Sequence, residues 1–155
     1  MGAVAGLVGA YAMQQFRTAW NRDHAASARD AIYGLDEEAD LNSANVLTSF
    51  FIGRTLPKKD ALRLALLLHY GYGAFAGAGY AVSAARWSPI KAGYGTLFGT
   101  GVWFFGDELP ISLSGISNPS ARGIRSHASA FAAHLLFGAA TELTRRALLL
   151  SCHQD

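Results

Sequence analysis

The chain has 155 residues, 13 Lys plus Arg against 11 Asp plus Glu, and 51% of its residues from the AVILMFWYC set. Charged residues make up 15%, against roughly 25% in a typical globular domain, which excludes a disordered chain. A single cysteine, Cys152, excludes a disulfide scaffold, and the 17 glycines lack the every-third-residue period of collagen.

The mean hydropathy of +0.18 averages two unlike regions. Residues 17–63 hold 14 of the 24 charges, seven of each sign, and four nearly uncharged segments make up the rest. The first runs uncharged from Gly2 to Phe16 and predicts a membrane helix over about 2–20. No Lys or Arg precedes it, so the charged n-region of a cleaved signal is missing. Gly6 stands where myristoylation wants Ser or Thr.

A polar insert, 21–61, comes next. Within it Leu41, Ala44, Leu47 and Phe51 form an apolar stripe at helical spacing, ending at Gly53 and Pro57. That pattern predicts an amphipathic helix lying on a membrane surface. The charges of residues 17–63 balance, leaving no basic footprint for nucleic acid.

The second apolar segment is uncharged from Leu64 to Ala85, the third from Ala92 to Gly106 and the fourth from Ser126 to Thr141. Together the four predict an all-α fold: a polytopic transmembrane bundle spanning about 2–20, 62–85, 88–107 and 125–149, in one domain 1–155. Lys and Arg near the predicted membrane ends concentrate on the side of the insert, so the positive-inside rule places 21–61 in the cytoplasm and both termini outside. The predicted setting is the bacterial inner membrane, with lipid and other membrane subunits, or a second copy, as partners.

Small residues recur at spacing four as Gly2/Gly6, Gly73/Gly77 and Gly95/Gly99. Glycines let helix backbones approach closely. The expectation is intramolecular packing of the second predicted helix against the third, with contact to a partner subunit as the alternative.

Ionisable groups inside such spans are functional candidates by default. His69 lies six residues past Arg63, His134 nine past Arg125, and His127 seven before His134. The oppositely directed third helix delivers Asp107 and Glu108 to the same side, so His69, Asp107, Glu108, His127 and His134 form a predicted intramembrane polar cluster. Four readings compete: structural bonds between helices, a proton or ion path, a b-haem held by His69 and His134, and a metal site. No HExxH or CxxC motif supports a metal. Glu142 with Arg145 and Arg146 has the spacing of same-helix ion pairs and is read as the membrane exit of the last helix.

Nucleophilic catalysis finds no support. Cys152 sits near the chain end, and neither Gly-x-Ser-x-Gly nor a Walker-type loop occurs. Ser112, Ser114, Ser117 and Ser120 read as turn chemistry around Gly115, Asn118 and Pro119.

The order of features is a glycine-rich first helix, a polar insert, then His69-Tyr70 heading a glycine-rich helix. Trp103, Asp107-Glu108-Leu109-Pro110 and His134-Leu135-Leu136-Phe137-Gly138 follow. This resembles the YagU-like family of small bacterial inner-membrane proteins, whose molecular function is uncharacterised. The resemblance implies a membrane location, marks His69, Trp103, Glu108, Pro110 and His134 for testing, and supplies no reaction. The resulting expectation is a non-enzymatic accessory or assembly subunit packing through glycine-rich helices. A channel- or transporter-like protein is the alternative, and a haem-binding electron carrier the third reading.

Overall fold

The structure, a computed structural model, describes residues 1–22, 56–108 and 124–152, without the side chains at 21, 22, 107, 108 and 124–126. The fold is all-α. Helix α1 is Gly2–Arg22, α2 is Lys58–Arg86, α3 is Thr96–Trp103 and α4 is Ile124–Ser151. The predicted surface helix around Leu41–Phe51 and the serine-rich loop at 110–121 lie outside the described residues.

Each long helix coincides with one uncharged segment, because Ala, Leu and Met favour helix and no proline interrupts those runs. Pro57 precedes α2, where its missing N–H costs nothing, and the helix is closed by extended backbone at Trp87, whose N–H donates to the Ser83 carbonyl. The third predicted span, 88–107, is not one helix. Ser88–Gly95 forms a 3₁₀ segment, and Gly93, Tyr94 and Gly95 then take φ of 60°, 55° and 90°. Those left-handed residues break the axis, so α3 starts afresh at Thr96 and is eight residues long before a π turn over Phe104–Glu108. Tyr94 adopts this conformation without being glycine, at a cost of roughly 1–2 kcal/mol.

Helix α1 runs antiparallel to both α2 and α4, and α3 runs antiparallel to α4. Small residues set the α1–α2 approach. On α2 the buried face reads Ala61, Ala65, Gly73, Gly77, Tyr80 and Ala84, mostly at spacing four. A Cβ on Gly77 would lie 2.5 Å from the Gly6 Cα and 2.6 Å from the Gly2 carbonyl oxygen. Gly95, Gly99 and Gly138 make the corresponding contact between α3 and α4, a Cβ on Gly138 falling 2.7 Å from the Gly99 nitrogen. The pairing expected from sequence is thereby corrected. Gly73 and Gly77 meet α1, and Gly95 and Gly99 meet α4; they do not meet one another. Ala10, Met13, Ala133 and Phe137 form the apolar centre where α1 crosses α4.

The membrane assignment is also corrected. Among the described residues no helix is long and apolar enough to cross a membrane. At 21, 29 and 28 residues α1, α2 and α4 have the length. They lack the hydropathy, because absence of charge is not the same as greasiness. Their uncharged runs are largely Gly and Ala, which carry little apolar surface, diluted further by Gln14, Gln15, His69, Tyr70, Tyr72, His127 and His134. The multi-pass inner-membrane placement falls with this finding, as do the topology with the insert inside and the description of the histidines as intramembrane.

Candidate functional site

Half-buried and buried polar groups gather at two places. At the first, α2 meets α1 through His69 and Tyr70. The His69 Nε2 lies 3.2 Å from the Ala10 carbonyl oxygen, to which it donates in the tautomer carrying that proton. The Tyr70 hydroxyl donates to the Gln14 side-chain carbonyl at 2.5 Å. Ala10 and Gln14 are one turn apart on α1, as their contacts require of two adjacent residues near the α2 surface. His134, which is buried, turns its Nδ1 to the Ala130 carbonyl within α4 at 2.8 Å. Both imidazoles therefore bond to backbone, one between helices and one within a helix. A bis-histidine haem would require the His69 Nε2 to leave the Ala10 carbonyl.

The remaining members of the predicted cluster lie in the π turn after α3 and on α4. Gly99 sits over the His134 carbonyl and Trp103 packs edge-on against Phe131, with ring centroids 5.0 Å apart. That antiparallel register carries 107 and 108, in the π turn, toward the level of His127. The side chains of Asp107 and Glu108 lie outside the described residues. Among the described residues no group of three His, Cys, Asp or Glu is placed to hold a metal. The ion path expected from the sequence ran through spanning helices, which the described residues do not supply. The Trp103 indole N–H is buried without a hydrogen-bond partner among the described residues.

The second place centres on Glu142, whose side chain is 0% exposed. Tyr80 of α2 donates to its Oε2 at 2.8 Å. Arg145 forks onto both carboxylate oxygens, Nε to Oε2 at 2.7 Å and Nη2 to Oε1 at 3.0 Å, and the Arg146 Nε reaches Oε1 at 2.6 Å. Arg146 also lies over the Tyr94 ring at 5.0 Å, tying the left-handed turn before α3 to the same cluster. Burial pushes the Glu142 carboxyl upward, but the bonds from Arg145, Arg146 and Tyr80 outweigh it and hold the pKa at about 2. Burial, then the bond to Glu142 and its charge, drive the Tyr80 phenol far above its usual range. The Glu142 bond likewise holds the Arg145 proton more firmly than usual.

The ion pairs match the sequence spacing, whereas the interpretation of Glu142 as a membrane exit is replaced by a buried tie between α4 and α2. Sequence reading missed Tyr80. Its signal was present: a large hydroxyl-bearing ring at the end of a run of Gly and Ala, on the face those small residues define.

His69→Leu tests the first tie. Removing the bond while retaining apolar bulk leaves the Ala10 carbonyl with one partner fewer, at an expected cost of about 1–2 kcal/mol in urea denaturation. An unchanged midpoint would show that the imidazole contributes no net stability.

No family model matches the chain, and no match is found among curated proteins or solved structures.

Proposed function

We propose that this chain is a non-enzymatic assembly protein, which works by presenting helix faces to other polypeptides. The observation that carries the reading is the contrast between its two kinds of surface. Apart from the Trp103 indole, the buried polar groups described above are bonded within the fold, those of Glu142 and Tyr80 between helices. Large apolar side chains are instead left outside: Val4, Leu7, Val8 and Tyr11 on α1, and Leu67, Leu68, Tyr72, Phe75 and Val82 on α2 are all exposed. Contiguous apolar surface of this kind marks an interaction site more often than a free surface.

The test is substitution at the surface without touching the interior. Leu7→Ser with Tyr11→Ser, and separately Leu68→Ser with Phe75→Ser, are expected to leave the unfolding midpoint nearly unchanged. At least one pair should release the chain from its native assembly, read by size-exclusion chromatography of material taken from its own cells. If both double variants elute as the parent does, at the mass of one chain, the reading is wrong.

A further inference from the structure

We infer that the exposed face of α2 is a self-complementary docking surface for a second copy of this chain, packed antiparallel about a two-fold axis at Phe75. This rests on the assembly reading above and names the partner.

The face is symmetric in sequence. Leu68, Gly71, Phe75, Gly79 and Val82 are separated by 3, 4, 4 and 3 residues, the spacing that keeps them on one side of a helix. All five are exposed, Phe75 at 78%. An antiparallel copy centred on Phe75 sets Gly71 against the partner's Gly79 and Leu68 against the partner's Val82. Each contact is then made twice, as a two-fold interface requires.

The glycines distinguish this face from the interior. Gly73 and Gly77 are filled by α1, whereas none of the described residues lies within 4 Å of where a Cβ on Gly71 or Gly79 would be. Glycine in a helix interior is destabilising by about 1 kcal/mol relative to alanine, and these two make no close contact within the described chain to offset it. Flanking Phe75 on either side, they leave hollows into which the partner's Phe75 ring fits.

Charge and area agree with a second copy. No charged residue occurs from Leu64 to Ala85, so the two faces meet without like-charge repulsion. At the ends Arg86 falls opposite the partner's Leu64, one helical turn from the partner's Asp60, which already pairs with Arg63 at 3.6 Å. The exposed parts of Leu67, Leu68, Tyr72, Phe75 and Val82 amount to on the order of 500 Å². The Ala, Gly and Ser surface between them brings the face toward the roughly 800 Å² per partner of a standard interface.

The experiment uses the full chain with Cys152→Ser, so that no native thiol competes. Sedimentation velocity should give the mass of two chains. Phe75→Cys in that background should oxidise to a covalent dimer, because residues at the axis meet their own counterparts within disulfide reach. Leu136→Cys, exposed on α4, should stay unlinked under the same conditions. Gly79→Leu fills the hollow and should weaken the dimer about tenfold or more, while its far-UV helix signal is unchanged.

A monomeric mass at tens of micromolar with Phe75→Cys unlinked overturns the inference, and so does a dimer that links at position 136 instead of 75. A monomer that still loses a native assembly through the α1 or α2 serine variants overturns only the second copy as partner. A monomer indifferent to those variants removes the assembly reading as well.

Discussion

Gly77→Leu is expected to separate α1 from α2 and to cost about 3 kcal/mol or more. A leucine in an open helical position would gain roughly 1 kcal/mol over glycine from propensity alone, so the sign of the effect rests on the contact. Its Cβ would meet the Gly6 Cα at 2.5 Å and the Gly6 nitrogen and Gly2 oxygen at 2.6 Å. All three are backbone atoms, so no rotamer change relieves the clash and the helices must part. As they part, Tyr70 leaves Gln14 and His69 leaves the Ala10 carbonyl, so both cross-helix bonds are lost with the packing. Hydrogen exchange should show α1 amides losing protection far more than those of α4 near Gly138. Gly101→Ala supplies the opposite sign: none of the described residues lies within 4 Å of its Cβ, and a gain of up to about 1 kcal/mol is expected. Equal and small effects at 77 and 101 would show that close approach does not govern this pair.

The same glycines show how far the sequence could be read. Small residues at spacing four identify a face made for close approach, and Gly73, Gly77, Gly95 and Gly99 all make one. They do not identify the opposing helix, because a glycine carries no side chain that distinguishes one backbone from another. Gly73 and Gly77 therefore suit α1 or α3 equally on pattern, and only the three-dimensional path of the chain decides. The helix positions were legible for a related reason: long runs rich in Ala and Leu, without charge or proline, favour helix. Their environment was not. A run such as Leu64–Ala85 reads as membrane-spanning by its lack of charge, yet Gly and Ala supply too little apolar surface for that. The break at 93–95 was hidden because Tyr94, unlike its glycine neighbours, gives no local warning of a left-handed backbone. In the candidate site the Glu142 ion pairs followed from i,i+3 and i,i+4 spacing alone. Tyr80 comes from 62 residues earlier, and no local periodicity reports a contact of that separation.

Glu142→Gln is the second large effect, and its dependence on pH separates charge from shape. At pH 7 the variant keeps the size of the side chain but leaves Arg145 and Arg146 facing a neutral amide where a buried carboxylate held them. Removing one partner of a buried ion pair costs about 3–5 kcal/mol. For a chain of this length that is a fall of about 6–20 °C in Tm. In the parent, the carboxyl is held at about 2 when folded against an ordinary value of 4.5. The unfolded chain therefore takes up this proton first as the solution is acidified. The stabilisation is present in full above about pH 4.5 and is lost as pH falls toward 2, a change of about 3 kcal/mol. The other carboxylates titrate in both proteins, so the difference between the two stability curves isolates Glu142. That difference should be widest at neutral pH and should close between pH 4.5 and 2. Parallel curves across that window would mean that the Tyr80–Glu142–Arg145–Arg146 cluster acts through packing and hydrogen bonds, with no net contribution from the buried charge. A closing gap shows instead that the carboxylate's charge secures α2 to α4.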